Sequence, residues 1–139
     1  MIKNYSNQFL KEILEKTKNI AIVGASSNPK RDSYIVMEFL IEKGYKVFPV
    51  NPNEINILGK KCYPNLKKIK DRVDMVDIFR AKDFIFDIAK EALEIKATVL
   101  WMQEGIIDEE AANFGINAGM LVIMNKCPKK ILQDSNWTN

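Results

Sequence analysis

Five short apolar runs punctuate this chain: IAIV at 20–23, KVFPV at 46–50, MVDIF at 75–79, TVLWM at 98–102 and LVIM at 121–124. Short solid runs rich in β-branched residues read as strands buried on both faces. Between them the spacing becomes helical. Ser33 reads as an N-cap, Val36, Met37, Leu40 and Ile41 form one face, and Gly44 follows as a stop. Phe84, Ile85, Ile88, Ala89, Ala92 and Leu93 repeat at helical spacing across 82–95. Asp108 is placed to cap a helix whose face carries Ala111, Ala112, Gly115 and Ile116, with Gly119 at its end. Phe9, Leu10, Ile13 and Leu14 make an earlier stripe, so 1–18 is expected as an N-terminal helix. All these stripes read as core.

Strand and helix alternation predicts right-handed βαβ units. The fold class is therefore α/β, a doubly wound parallel sheet of about five strands with helices on both faces. The 139 residues fit a single domain, with a core at 19–127 and a C-terminal tail at 128–139. Pro49 removes a ladder donor, which places it where strand pairing is ending. Residues 51–61 are the least regular, with one short extended piece expected near KKCYP. In such sheets ligands sit beyond the C-terminal strand ends, near the switch in strand order. The loops after Val23, Val50, Phe79, Met102 and Met124 are thus the candidate site.

Composition removes several function classes. There is no histidine, which excludes a Ser-His-Asp or Cys-His nucleophile, a phosphohistidine and a histidine metal site on this chain. Cys62 and Cys127 make neither a disulfide framework nor a metal cluster and read as two reduced thiols. The net charge of +3 is too mild to draw nucleic acid by bulk attraction. Arginine occurs only at 31, 72 and 80, so each arginine is more informative than any one lysine. No apolar run approaches the roughly 20 residues needed to span a bilayer. The first residues lack the apolar core of a signal peptide, and a cytoplasmic location without a membrane partner is expected.

The first loop, GASSNPKRDS, keeps Gly24 but has Ser26 and Pro29 where a dinucleotide fingerprint needs its second and third glycines. It reads as a phosphate loop all the same. Gly24 permits a tight turn, Ser26 and Ser27 offer hydroxyls, the next helix presents free amides, and Lys30 and Arg31 suit a pyrophosphate. A plain strand-to-helix turn with solvated cations is the alternative. The second loop ends its strand in Asn51 and Pro52, where NAD-binding folds place an acid for the ribose hydroxyls. A neutral Asn tolerates a phosphorylated ribose, as in coenzyme A or NADP; a simple Asn-Pro turn is the other reading.

In the third loop Arg80 reaches a phosphate or an acyl carboxylate, or else pairs with Asp77 or Asp83. In the fourth, Trp101 and Gln103 share a face; Trp101 reads as core, and Gln103 is placed to hydrogen-bond the amide of a pantetheine arm. In the fifth, Cys127 lies just past the last strand, where it could meet a thiol ligand; a buried, inert thiol is the favoured reading because no activating partner accompanies it.

Six stretches in this order, AIVGASSNPKRDSY, GYKVFPVNP, ILGKKCYPNL, VDMVDIFR, VLWMQEGIIDEEAA and AGMLVIMNKCP, cover about residues 17 to 130. Together they resemble the small single-domain CoA-binding proteins, whose fold is similar to the N-terminal half of the succinyl-CoA synthetase α subunit. The resemblance implies a Rossmann-like domain that binds coenzyme A or an acyl-CoA. It implies that Gly24, Ala25 and Ser26 hold the pyrophosphate with Arg31 nearby, and that Asn51 and Pro52 border the adenosine. Phe79 and Arg80, with Gln103 and Gly105, would flank the pantetheine path; Tyr34 closes the first motif and joins the binding set. The chain departs from the family in having Asp32 where a Pro is common and Lys126 where an Arg is common. In the synthetase this domain works with a phosphohistidine, which this chain lacks. The expected function is non-catalytic binding of coenzyme A or a short acyl-CoA, without a metal, as a monomer or small homo-oligomer with no identified protein partner. The alternatives are an NADP-binding oxidoreductase or redox sensor, and an interaction module that has lost its ligand.

Overall fold

The computed structural model describes residues 5–134. Five strands, β1 (Asn19–Val23), β2 (Lys46–Val50), β5 (Met75–Ile78), β6 (Val99–Met102) and β7 (Leu121–Ile123), form one parallel sheet in the order β2-β1-β5-β6-β7. Successive side chains along each strand enter opposite cores, as the pleat requires. On β1, Ile20 and Ile22 face one cluster while Ala21 and Val23 face the other. The Ile20 side is covered by α1 (Asn7–Lys16), α2 (Asp32–Glu42) and α5 (Pro128–Gln133), and the Ala21 side by α3 (Lys82–Glu94) and α4 (Glu109–Asn117). This two-sided burial is why the strands read as solid runs.

Local signals set most boundaries. Ser6 Oγ accepts from Phe9 N to start α1, and Asp108 Oδ1 accepts from Ala111 N to start α4. Of the helix expected over 1–18, the described residues show Asn7–Lys16; residues 1–4, on which part of that expectation falls, and 135–139 lie outside the described residues. Ser33 does not cap α2. The helix begins at Asp32 with Arg31 in the cap position, because a turn closed by Arg31 N on Asn28 O (3.0 Å) redirects the chain earlier. Ser33 lies inside the first turn and is buried.

Pro49 lies within β2, opposite Ile22, and β2 is an edge strand. Its carbonyl accepts from Tyr63 N on the side away from β1, so the missing N–H costs the sheet no ladder bond. The irregular stretch holds a small hairpin, β3 (Asn56–Ile57) and β4 (Lys60–Lys61), turned at Leu58 and Gly59, both at positive φ. Leu at such a position is a poor turn signal, which is why β3 escapes a sequence reading. The segment expected as a tail carries α5, packed against α2 through a short stretch with Pro128 at its first position. Six residues are too few to show a helical period.

Candidate functional site

A cleft of about 630 Å³ opens at the C-terminal ends of β1, β2 and β5. It lies where the strand order reverses, with β2 on one side of β1 and β5 on the other. Gly24, Ala25 and Ser26 form one wall, and Lys30 and Arg31 stand at the end of the same loop. Asp32 and Ser33 come from the first turn of α2, Asn51 to Asn53 from the loop after β2, and Phe79 and Arg80 from the loop after β5.

The turn after β1 is possible only with glycine. Gly24 has φ +90°, and a Cβ there would lie 2.5 Å from the Phe79 carbonyl oxygen and 2.9 Å from Arg80 Cδ. The amides of Gly24 and Ala25 both donate to Val50 O, at 3.0 and 3.3 Å, tying the turn to the end of β2. Asn28 N donates to Ser26 Oγ (3.0 Å) and Lys30 N to Asn28 Oδ1 (3.0 Å), which coils the loop towards α2. No acceptor among the described residues takes the amide N–H of Ser26, Asp32 or Ser33, and α2 has no side-chain cap. Free amides at the positive end of a helix favour an anion.

The side chains add charge. Neither Lys30 nor Arg31 has a carboxylate partner among the described residues. Arg80 pairs with neither Asp77 nor Asp83; its guanidinium carbon lies 3.9 Å from the centroid of the Phe84 ring. Three cations thus face one carboxylate, Asp32, around the cleft.

Four of the expected binding residues lie outside this wall. Ser27 N and Oγ both donate to Glu54 Oε2, at 3.1 and 2.7 Å. Tyr34 is half-buried against the core on the α2 side. Gly105 is exposed in the loop after β6, its amide held by Asn125 Oδ1 at 2.7 Å. Gln103 is buried, and its amide, oriented by hydrogen bonding, donates to Asp77 Oδ1 (3.1 Å) and Oδ2 (3.3 Å). A period-two pattern places Gln103 on the Trp101 face, but only the packed sheet brings Asp77 against it. Asn51 does line the cleft, yet its side chain serves the loops: Nδ2 donates to Ala25 O (2.8 Å) and Oδ1 accepts from Asn53 N (2.8 Å). Sequence reasoning missed Ser33, Asn53 and Glu54; their only signal was position, just after a strand or within the first turn of a helix.

Trp101 is fully buried, with Nε1 donating to Lys126 O (2.8 Å). Cys62 and Cys127 are free and buried. Burial pushes the Cys62 thiol up.

Asp77 is fully buried in the middle strand between Ile22 and Trp101, and burial holds its carboxyl well above the ordinary range. The folded chain therefore keeps a proton that the unfolded chain releases near a pKa of about 3.9. The contribution of Asp77 to stability is then fully present below that value and falls as pH rises towards its raised folded pKa. Urea unfolding should show a wild-type protein less stable at about pH 8 than at about pH 5. Asp77→Asn, whose amide Gln103 can meet by turning its own, should flatten that dependence. A wild-type profile as flat as the variant's would show that Asp77 folds in its charged form.

Comparison with known proteins agrees with this architecture. The protein YneT of Bacillus subtilis (strain 168) is 39% identical over 128 residues, 92% of this chain and 95% of YneT. The ADP-forming acetate–CoA ligase I subunit alpha of Pyrococcus furiosus is 38% identical over 86 residues, which is 58% of this chain but only 19% of that subunit. A solved hypothetical protein from Pyrococcus horikoshii OT3 superposes with a TM-score of 0.89 at 35% identity, covering 94% of this chain and 96% of that one. The family profile described as CoA binding domain matches residues 18–133. With that match across both cores and every loop of the cleft, the chain belongs to the CoA binding domain family.

Proposed function

We propose that this chain, as one domain, binds coenzyme A or a short acyl-CoA non-covalently in the cleft at the end of β1. The observation that carries this reading is the set of free amides and unpaired cations around a turn that only Gly24 can make. A diphosphate would take the amides of Ser26, Asp32 and Ser33 together with Lys30 and Arg31. The adenosine would lie towards Asn51 and Pro52, where the lining from this loop carries no carboxylate and that of Glu54 is bonded to Ser27. Phe79 and Arg80 would border the start of the pantetheine arm, which continues towards the exposed edge at Gly105. The volume suits a ligand of nucleotide size.

Coenzyme A would supply a thiol able to carry an acyl group; this chain's residues would bind and orient its nucleotide end. A purely binding role is supported by the sequence: the chain has no histidine to carry a phosphoryl group or to serve as the base of a nucleophile.

Isothermal titration should show saturable one-to-one binding of coenzyme A, and no heat with NADH or NADPH at the same concentrations. Equal affinity for NADPH would move the assignment to the oxidoreductase reading. Absence of binding to any of the three would favour a fold that has lost its ligand.

A further inference from the structure

Glu54 lies in the loop after β2, yet its carboxylate belongs structurally to the loop after β1. One oxygen, Oε2, accepts both the amide (3.1 Å) and the hydroxyl (2.7 Å) of Ser27. Three residues earlier, Asn51 Nδ2 donates to Ala25 O at 2.8 Å. The two loops are therefore stitched together twice, once by residues that line the cleft, Asn51 and Ala25, and once by residues that do not, Glu54 and Ser27. Ala25, Ser26, Asn51 and Asn53 line the cleft, whereas Ser27 and Glu54 do not. The Glu54 carboxylate thus stands behind the wall and does not compete with a bound phosphate for space.

Behind Glu54 the chain is anchored. Cys62 N donates to Ile55 O at 2.8 Å, and Asn51 N to Tyr63 O at 2.9 Å, so the β3–β4 hairpin holds the second loop against β2. Among the described residues, the first loop has no such backbone anchor between Ser26 and Arg31. Its other hydrogen bonds are internal, among Ser26, Asn28, Lys30 and Arg31. Among the described residues, the hydrogen bonds that tie the Ser26–Arg31 stretch to another loop are those to Glu54, and a charged acceptor makes them stronger than neutral ones.

We propose that Glu54 is a positioning residue that latches the phosphate loop to the anchored second loop, so that the mouth of the cleft is preset before a ligand arrives. The ligand half of this inference rests on the coenzyme A reading; the latch itself does not. Losing a latch lowers the fraction of molecules ready to bind, and apparent affinity falls by that fraction. Such a loss appears in the association rate. A lost ligand contact would appear in the dissociation rate instead.

The test uses the whole chain and the variants Glu54→Ala, Glu54→Gln and Ser27→Ala, each first shown to melt close to the wild type. In the ligand-free protein, hydrogen exchange of the Ser27 amide should speed up by about tenfold in Glu54→Ala, since its acceptor is gone. Glu54→Gln, whose amide oxygen can still accept both bonds, should recover most of the protection. Stopped-flow mixing with coenzyme A should show Glu54→Ala associating about fivefold more slowly with an unchanged dissociation rate. Ser27→Ala, which loses one bond, should fall between. Unchanged Ser27 exchange in Glu54→Ala overturns the latch. A loss carried by faster dissociation overturns it too, and makes Glu54 a ligand contact. If the wild type fails to bind coenzyme A, the functional reading fails, and the exchange measurement still decides the latch.

Discussion

Alanine at position 24 is expected to lower the melting temperature by about 10 °C, with loss of measurable coenzyme A binding. Two costs combine. Gly24 sits at φ +90°, where an L residue loses about 1–2 kcal/mol. The added Cβ would also lie 2.5 Å from the Phe79 carbonyl oxygen. That neighbour is backbone at the end of the central strand, and it cannot rotate away. Overpacking of this kind costs about 1–3 kcal/mol. The chain can yield only by moving the turn or the Phe79–Arg80 segment, and both line the cleft. Differential scanning calorimetry beside a coenzyme A titration checks the two halves. A variant that melts like the wild type would mean that this turn is far softer than its contacts imply. The other glycines at positive φ have open space where a Cβ would go, so alanine there should cost less.

Arg31→Glu is expected to weaken coenzyme A binding by roughly tenfold to a hundredfold while leaving the melting temperature of the free protein unchanged. Arg31 is exposed at the cap of α2 and has no carboxylate partner among the described residues, so folding does not depend on it. Reversing its sign would set a second anion beside Asp32, at the cleft wall where the proposed diphosphate would meet the free amides. The effect should shrink as salt is raised, because exposed charges are screened over about 10 Å at 0.1 M. Titration of both proteins at low and high salt reads this directly. Unchanged affinity would remove Arg31 from the site. A lowered melting temperature would show that it supports the fold instead.

The two predictions differ in how far each could be read from the chain alone. Arg31 stood out because arginine is rare here and follows a strand and a small-residue loop. Gly24 stood out only as the first residue after a strand. What makes it irreplaceable is Phe79, 55 positions later in the sequence, and no local pattern carries that information. Gln103 marks the same limit from the other side. Its position and polarity recommend it as a ligand group, but the pairing of β5 with β6 sets Asp77 on its face, and the amide is used there.

The chain by itself determined the parallel sheet and its two covered faces, because strands buried on both sides must be apolar throughout and the intervening helices must show one apolar stripe. It also determined which end of the sheet carries the loops for binding, since the direction of every βα connection follows from the alternation. Only the folded molecule decided which loop residues line the cleft and which hold other loops in place. Ser27, Asn51, Glu54 and Arg80 all carry polar groups suited to either task. Whether each is free towards the cleft or bonded within the protein depends on partners brought together by strand order, over distances along the chain that periodicity does not span.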